Sequence, residues 1–511
     1  MNPLPAPLPP SSDGANELFV FGNGDMGQHG LGTDAIDEIK RPRLHVWVAE
    51  KNRSETLGKG GIESIAAGGM HTLAIDSTGR VLSWGINDNA ALGRRTTRET
   101  GVDAEVYETE PMPVEGLGPQ GRGPLAGPLP EGGKEGDVET FRATRVAAGD
   151  SVSVALNDRG EVRVWGSFRS NDGLLGFDGQ VGSERTQFQP VALPSLTKHS
   201  FVQIACGDDH VLALATDGSV FSWGNGQQSQ LGRRIIERRK INGLTPEKLN
   251  LRKMVVVGAG AFHSFAVDHK GEVWAWGLNS LHQLGLDTAD DIVPVPQRVE
   301  HLSPKALGGA RVVAITGGSH HSLFLLSDGR VFGTGRCDGC ELGLAEDHPA
   351  KKKVEETRVL WESKRRAELE EERKDWTRRM AEKRQQHDDA GADAAALGMV
   401  VSEGDMEPTM GPPPDEFVPQ PVHIPFPRAA DGSETRIQSI ASGARHNIAV
   451  AVDGTPYSWG FGVSSQLGQG DEEQMETPTA VRSKQILGFR TVAATAGGQH
   501  SALLAVKRPE A

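Results

Sequence analysis

Two short motifs in the sequence have residue types and spacing that can carry chemistry. Cys337 and Cys340 form a CxxC pair, the spacing used in redox centres and zinc sites. Residues 22–27, GNGDMG, have glycines spaced as in a loop that cradles a dinucleotide. Zinc needs four ligands and no second cysteine pair exists, while a dinucleotide loop must open a helix, which the sequence does not predict there. We therefore expect no metal, no cofactor and no covalent catalysis, so the chain is not an enzyme in that sense.

Histidines and tryptophans recur at fixed places, each inside a copy of one repeated pattern. A glycine-rich bend ending in Gly-x-x-His leads into an alternating strand, a polar turn with glycine, a second strand ending in Trp-Gly and a loop ending in Leu-Gly. A histidine needed by every copy is expected to be a buried hydrogen-bonding anchor, and the tryptophans are expected to fill the core. These residues are His71, His210, His263, His321, His446, His500, Trp84, Trp165, Trp223, Trp276 and Trp459.

The repeat itself predicts the fold. Its period of roughly 50–60 residues is in the range of propeller blades. Two alternating strands joined by a short turn with glycine are typical of a hairpin. The internal copies occupy residues 65–93, 146–176, 204–232, 257–285, 315–343 and 440–468.

The two chain ends complete a further copy. Residues 493–506 have the first half of the repeat, and residues 18–32 have the second half, with Phe21-Gly22 in the place of Trp-Gly. A propeller whose last blade is shared by both ends leaves no long open edge. The sequence therefore predicts an all-β protein, a seven-bladed β-propeller closed by its N- and C-terminal segments.

Composition narrows the function classes. The chain has 64 glycines and 5% aromatic residues, which is typical of short strands and tight turns. A net charge of -14 excludes a generic basic nucleic-acid binder, so any DNA contact must come from a local patch. Three cysteines favour a reducing compartment, and no apolar run reaches the roughly 20 residues that span a bilayer. We expect a soluble intracellular protein without membrane contact.

Two stretches interrupt the repeat within the propeller, which is expected to span residues 16–507 after a disordered tail at 1–15. Residues 94–140 contain a Pro/Gly-rich inter-blade loop that is predicted to be partly disordered. Residues 344–436 are predicted to form a charged helical insertion and a flexible tether, because strong helix formers and oppositely charged i,i+4 pairs are frequent there. A solvated surface helix is the expected form, and a partner-binding arm is the alternative.

The motif Ala-Gly-x-x-His-Ser/Thr, followed by Asp-Gly and Trp-Gly, resembles the repeat of the regulator of chromosome condensation family. The resemblance covers nearly the whole chain and returns in every blade. Residues that vary between blades are similar to those of the family's exchange factor for the GTPase Ran. The resemblance implies a nuclear, chromatin-associated, monomeric guanine nucleotide exchange factor that releases GDP from Ran and supports nucleocytoplasmic transport, the mitotic spindle and the nuclear envelope.

The same resemblance implies which residues face the GTPase. Residues 165–173, WGSFRSNDG, match a β-wedge that projects at the nucleotide pocket, and other matches lie in the turns of separate blades. The residues assigned in this way are Asp25, Asp150, Phe168, Arg169, Asn171, Asp172, Gly173, Asp209, Arg233, His320 and His500.

Comparison between the repeats supports two of these assignments independently. The residue before the repeat histidine is Met70, Phe262 or Arg445 in other copies, but Asp209 and His320 in two of them. A structurally free position that is charged only in selected blades is where partner contacts are expected; ordinary loop polarity is the alternative. The copies also depart from the pattern, at the positions of Val152, Ser280 and Thr334.

A basic run, residues 233–240, is predicted to form a loop between the third and fourth blades. The resemblance implies that its cations enter the acidic patch of the nucleosome's histone dimer, a role suited to arginine because its planar fork pairs with carboxylates. The family's basic N-terminal tail is missing, since residues 1–17 contain no Lys or Arg, so only a weak DNA contact is expected. The predicted nucleosome-binding residues are Arg234, Arg238, Arg239 and Lys240.

Propeller folds host many functions, and the sequence leaves an alternative open. That alternative is a non-catalytic scaffold or adaptor that binds another protein. A scaffold has no reason to keep the wedge and the acidic residues, so these features favour the exchange factor.

Overall fold

The structure is a computed structural model that describes residues 2–7, 14–96, 104–118, 139–180, 184–390, 406–429 and 431–508. It divides into two compact units, Met1–Leu344 with Phe417–Ala511, and Ala345–Glu416. Most of the loop expected to be disordered in 94–140, and most of the tether expected after the charged helix, lie outside the described residues. Within the described part of the chain, no helix is both long and apolar enough to cross a membrane.

Short antiparallel strands make up the larger unit. The strands of the first half of the chain are β1 (Glu17–Gly22), β2 (Ile39–Leu44), β3 (Ile62–Ala67), β4 (His71–Asp76), β5 (Val81–Gly85), β6 (Met112–Pro113), β7 (Leu117–Gly118), β8 (Glu139–Thr140), β9 (Ala143–Ala148), β10 (Val152–Asn157), β11 (Val162–Gly166), β12 (Phe168–Ser170), β13 (Gly173–Gly176), β14 (Gln187–Val191), β15 (Phe201–Cys206), β16 (His210–Ala215), β17 (Val220–Gly224) and β18 (Glu247–Lys248). Those of the second half are β19 (Met254–Ala259), β20 (His263–Asp268), β21 (Val273–Leu278), β22 (Ile292–Arg298), β23 (Val312–Gly317), β24 (His321–Leu326), β25 (Val331–Arg336), β26 (Phe417–Ile424), β27 (Ile437–Ser442), β28 (His446–Ala451), β29 (Pro456–Phe461), β30 (Gln474–Ala480), β31 (Phe489–Ala496) and β32 (His500–Lys507).

These strands form seven four-stranded sheets, which confirms the predicted seven-bladed propeller. The blades, numbered in chain order, are blade 1 (β3–β6), blade 2 (β9, β10, β11 and β14), blade 3 (β15–β18), blade 4 (β19–β22), blade 5 (β23–β26), blade 6 (β27–β30) and blade 7. Blade 7 has the order β2-β1-β32-β31, and β1 pairs antiparallel with β32 from Glu17↔Ala505 to Gly22↔His500. The chain ends therefore share one blade, as the half-repeats predict.

Helices are few among the described residues of the larger unit. They are the α-helices α1 (Val46–Arg53) and α2 (Ala104–Glu108) and the 3-10 helices Thr33–Ala35, Glu237–Leu244 and Glu300–Leu302. The smaller unit contains the long helix α3 (Pro349–Ala390). Its sequence is rich in strong helix formers, and ion pairs such as Glu371–Lys374 (2.8 Å) lie one turn apart on its surface.

Three predicted segments differ from the structure. The tail expected to be disordered at 1–15 includes residues 2–7, where the N–H of Asn2 donates to the carbonyl of Thr216 (2.9 Å) in blade 3. The inter-blade loop expected at 94–140 includes Met112–Pro113, which is the outer strand β6 of blade 1. The expected insertion and tether, 344–436, includes Phe417–Ile424, which is the outer strand β26 of blade 5. The charge pattern ends before this strand, and its alternation of apolar and polar residues is too short to stand out beside a proline-rich stretch. The insertion proper thus lies between β25 and β26, inside one blade.

The repeat histidines are buried and join neighbouring blades, as expected of anchors. The Nε2 atom of each lies 2.7–3.0 Å from a side-chain oxygen at the second position of the same strand in the next blade. We call this contact the inter-blade latch. The latch pairs are His71–Ser153, His210–Ser264, His263–Ser322, His321–Asn447, His446–Ser501 and His500–Thr72.

The latch also fixes the histidine tautomer. The hydroxyl of Ser153 donates to the carbonyl of Ala91 (2.8 Å), so its single hydrogen is already used. The Nε2–H of His71 must therefore donate to the Ser153 oxygen. The indole N–H of Trp165 donates to the same Ala91 carbonyl (2.8 Å), so the tryptophan adds a second polar connection between the blades. The predicted anchor and core roles are both met in this arrangement.

The latch is replaced at the junction of blades 2 and 3. Val152 takes the histidine position of blade 2, and Val211 takes the hydroxyl position of blade 3; both are fully buried in one apolar cluster. The indole Nε1 of Trp223 and the hydroxyl of Ser167 are buried there without a hydrogen-bond partner. This junction is therefore held by apolar packing alone at the place where other junctions have a polar latch.

Candidate functional site

The predicted partner-binding residues belong to turns at one end of the blades. In a four-stranded antiparallel blade, the turns after the first and third strands lie at the same end. We call that side of the propeller the wedge face. It carries Asp150, Asp209 and His320 on turns after first strands, and Asp25 and the wedge on turns after third strands.

Backbone hydrogen bonds between blades hold the inner turns of this face. The N–H of Asp150 donates to the carbonyl of Asp208 (2.7 Å), and the N–H of Asp208 donates to the carbonyl of Ala261 (3.2 Å). Similar bonds join Gly69 to Gly149 and Ser319 to Ala444 in neighbouring blades. Each turn is thus positioned by the blade beside it, so acidic groups on different blades are held at fixed separations.

Three carboxylates gather on the inner turns of blades 2 and 3. Burial raises the pKa of Asp209 to about 7, opposed by the N–H of Arg169 and reinforced by the charges of Asp150 and Asp208. Burial and the nearby charge of Asp150 raise the pKa of Asp208 to about 6. Asp150 and Asp208 line the mouth of a central cavity of about 570 Å³. The wedge face therefore presents a cluster of carboxyl groups beside this cavity, two of them with raised pKa values.

Asp208 was not among the residues predicted from the sequence. It occupies the first position after the bend glycine, where other blades have Gly69, Ala261, Ser319 or Ala444 and only blade 2 also has an acid, Asp150. Comparing this position across the repeats, as was done for the position next to it, would have identified Asp208.

The wedge is the two-stranded hairpin β12–β13, which forms the loop after the third strand of blade 2. Ser170 pairs with Gly173 across a two-residue turn, and Gly173 has φ +105°, a conformation that favours glycine. Asn171 and Asp172 at the tip are exposed, and so is the side chain of Arg169. A Cβ atom added at Gly173 would have no described atom within 4 Å, so the hairpin is open on that side.

Phe168, predicted to face the GTPase, has no exposed side-chain surface. Its side chain is fully buried in the apolar cluster that contains Trp223 and Leu244. The Cδ1 atom of its ring lies 3.0 Å from the position that a Cβ atom on Gly224 would occupy. Phe168 therefore anchors the root of the wedge in blade 3.

Three residues of blade 3 hold the wedge. The N–H of Arg169 donates to Oδ1 of Asp209 (2.6 Å), and the N–H of Asn171 donates to Oε1 of Gln227 (2.9 Å). The ammonium of Lys240 forms a close ion pair with Asp172 at the tip. The Arg169 guanidinium also lies 3.9 Å from Asp150, which connects the wedge with the acidic turns.

The basic run lies within blade 3, between β17 and β18, and not between blades 3 and 4 as predicted. The outer strand β18 was not recognised in the sequence because it has only two residues, both exposed. Arg234, Arg238 and Arg239 are exposed, in agreement with a role in binding. Lys240 instead contacts the wedge, so the basic loop and the wedge are neighbours on one face.

Two further residues predicted to contact the GTPase make hydrogen bonds within the propeller. The guanidinium of Arg233 donates to the carbonyls of Gly243 (3.2 Å) and Thr245 (2.9 Å), which closes the base of the basic loop. His500 is 1% exposed and belongs to the latch with Thr72, so its predicted contact with a GTPase is wrong. The burial of Arg233 is not evident from the sequence, because arginine is common in exposed loops, whereas the repeat already predicts that His500 is a buried anchor.

The remaining predicted residues are available on the wedge face. Asp25 is exposed, in an Asx turn in which its N–H donates to Oδ1 of Asn23 (2.9 Å). His320 is half-buried, with its ring centroid 6.5 Å from that of Phe262 in the neighbouring blade. Asp25, His320 and the acidic turns lie in different blades, which allows one large partner to touch them together.

Cysteine, histidine and carboxylate side chains are the groups of the described residues that could serve covalent or metal chemistry. Among the described residues, no three His, Cys, Asp or Glu side chains are grouped so that they could hold a metal ion. Cys337 is buried and Cys340 half-buried, in one turn of blade 5, and they are not joined by a disulfide. The geometry favours recognition of a partner by charge and by an inserted hairpin.

Comparison with known proteins places the chain among propellers of one family. A sequence profile of the RCC1-like domain matches residues 17–503. The chain is 34% identical to Protein pim1 of Schizosaccharomyces pombe, over 99% of this chain and 79% of that protein. It is 32% identical to Guanine nucleotide exchange factor SRM1 of Saccharomyces cerevisiae, over 96% of this chain and 87% of that protein. The crystal structure of Prp20p from Saccharomyces cerevisiae, described with its binding properties to Gsp1p and histones, matches with a TM-score of 0.73 and 30% identity, over 99% of this chain and 94% of that chain.

Proposed function

The chain belongs to the family of RCC1-like domains, and from this premise we propose that it is a guanine nucleotide exchange factor that releases GDP from a Ran-type GTPase. Relatives named as exchange factors and regulators of chromosome condensation span nearly the whole chain. The observation that carries the proposal is the wedge, with an exposed tip at Asn171-Asp172 and with Arg169, nearer its root, in contact with the carboxylates of Asp150 and Asp209. A propeller that served only as a scaffold would not need this hairpin.

The proposed mechanism requires no covalent step. A GTPase of this kind holds its nucleotide mainly through phosphate contacts from backbone N–H groups, a lysine and Mg²⁺. The acidic turns attract cationic side chains of the GTPase and orient it on the wedge face. The wedge tip then presents Asp172 and the polar amide of Asn171 to the phosphate site, where negative charge and bulk disfavour bound GDP. GTP enters the emptied site by mass action.

We propose that the protein works in the nucleus, on chromatin, through the basic loop. Arg234, Arg238 and Arg239 are exposed and close together in sequence, and guanidinium groups suit bidentate pairing with carboxylates. An acidic patch on the histone dimer of a nucleosome is the partner that fits this loop. Since the chain as a whole is strongly acidic, its repulsion from phosphates would limit binding to bare DNA.

The test is the release of labelled GDP from purified Ran in the presence of excess unlabelled GTP. We expect a catalytic amount of the protein, about one part in a hundred, to discharge all the Ran in repeated turnovers. A scaffold would bind Ran and release at most one equivalent, or none. Absence of turnover with folded protein would refute the proposed function.

A further inference from the structure

We propose that Lys240 is a positioning residue for nucleotide exchange: from the basic loop, it holds the wedge tip in the exchange-competent position through Asp172. This inference rests on the proposed function and adds to it a residue whose sequence context indicates a different role. Lys240 lies in the run expected to bind nucleosomes, yet its ammonium group pairs with Asp172 of the wedge.

The wedge needs such support because of its size. Its strands contain three and four residues, and an isolated two-stranded hairpin is marginally stable in water. The junction beneath it lacks the polar latch: Val152 and Val211 replace the latch pair, and the Trp223 indole has no hydrogen-bond partner. Phe168 fixes the root of the hairpin, but an apolar anchor at the root does not determine where the tip points.

The tip depends on the basic loop and its flank. Asp209 bonds Arg169, near the root, whereas the tip residues Asn171 and Asp172 are held by Gln227 and Lys240. Both of these residues follow β17, in the segment that leads to β18. The tip position is therefore determined by this one segment of blade 3.

Charge and burial distinguish Lys240 from the arginines beside it. Its side chain is 24% exposed, whereas Arg238 and Arg239 are exposed to solvent. The side chain of Asp172 is 74% exposed, so the lysine covers only one side of the carboxylate and leaves the rest of the tip open to a partner. Glu237 lies 3.8 Å from the same ammonium and bonds Gln227 (3.0 Å), which links the two tip contacts.

The test separates positioning from binding in the GDP-release assay. Lys240→Met keeps the aliphatic stem but removes the charge, and we expect it to lower kcat about fivefold while the KM for Ran changes less than twofold. Amide hydrogen exchange of residues 169–174 should become faster in the same variant. Lys270→Met, at an exposed lysine on the opposite face, is the matched control and should leave both constants unchanged.

Reversing the pair gives a second, independent test. Asp172→Lys alone places two cations together and should lower kcat at least as much as Lys240→Met. Combining it with Lys240→Asp restores an ion pair of opposite polarity and should recover hydrogen-exchange protection of the tip. Unchanged kcat and protection in Lys240→Met, with active unmodified protein, would refute the positioning role and leave the proposed function standing. If the unmodified protein fails to turn over, both proposals fall.

Discussion

The carboxylate of Asp209 accepts a hydrogen bond from the backbone N–H of Arg169 across 2.6 Å, joining the turn of blade 3 to the wedge of blade 2. The acidic residue expected to face a GTPase therefore also supports the hairpin. Replacing Asp209 affects two things at once, the charge offered to the partner and the root of the wedge.

Asp209→Ala should lower kcat/KM for GDP release strongly, because removing one partner of a close interfacial charge pair costs roughly 2–5 kcal/mol. Asp209→Asn keeps an oxygen that can accept the Arg169 N–H but has no charge. We expect it to retain wedge protection in hydrogen exchange while still losing affinity for Ran. Equal loss of protection in both variants would show that the charge, and not the acceptor, holds the wedge.

Exchange should depend on pH through the same carboxylate. Burial raises the pKa of Asp209 to about 7, so the group is protonated below that pH and ionised above it. We expect kcat/KM to rise between pH 6 and pH 8 and to level off above it. In Asp209→Asn, this rise should be reduced, since the titrating group is gone; a profile identical to that of the unmodified protein would assign the dependence to another group.

The free energy of unfolding should also increase with pH, but through histidines whose pKa burial lowers. Burial lowers the pKa of the latch histidines, to about 4 for His71 and about 3 for His210 and His446. Between these values and about 6.5, the unfolded chain binds protons that the folded chain does not, so the free energy of unfolding falls as pH drops, by up to about 1.4 kcal/mol per histidine and pH unit.

Asp208 and Asp209 act against this trend, because their raised pKa values make the folded chain bind protons that the unfolded chain releases above about 3.9. The latch histidines outnumber them, so the histidine effect prevails. We expect a melting temperature, followed by circular dichroism, that is level above pH 7 and falls steeply from pH 6.5 to pH 5. A level melting temperature down to pH 5 would contradict the neutral latch.

Nucleosome binding should depend on the exposed arginines and not on the wedge. Arg238→Glu with Arg239→Glu replaces attraction to an acidic patch by repulsion, and we expect affinity in a nucleosome gel shift to fall by more than about tenfold, roughly 1.4 kcal/mol. GDP release from Ran should change little, since Lys240 is retained. If both activities fall together, the arginines and the wedge form one functional surface.

The fold could be predicted because the repeat marks every blade with the same residues. His71 and Trp84 have counterparts at equivalent positions in most of the other copies, and the half-repeats at the ends require closure. Even the departure at Val152 has a readable counterpart, since Val211 is apolar where the next blade usually has a hydroxyl. Residues that recur in the repeats therefore predict the structural elements that recur in the blades.

The site could be predicted only in part, because its contacts do not follow the period. Lys240 and Asp172 lie 68 residues apart in two irregular loops, and nothing in either segment indicates that they meet. Phe168 and Arg233 were assigned to the partner surface although both make contacts inside the fold. The assignment failed because a match of residue type carries no information on burial. Asp150, Asp209 and Asp25, by contrast, share one face of the propeller because each lies at a defined point of the repeat.

The central claim, that the wedge releases the nucleotide, is tested most directly with a variant altered only at the tip. Asn171→Ala with Asp172→Ala leaves the buried anchor Phe168 in place, so the propeller should keep its melting temperature within the few degrees expected of surface changes. We predict that this variant binds nucleotide-free Ran nearly as well as the unmodified protein does, while kcat for GDP release falls by more than about tenfold, or roughly 1.4 kcal/mol of transition-state stabilisation. Undiminished GDP release by the folded variant would contradict the account.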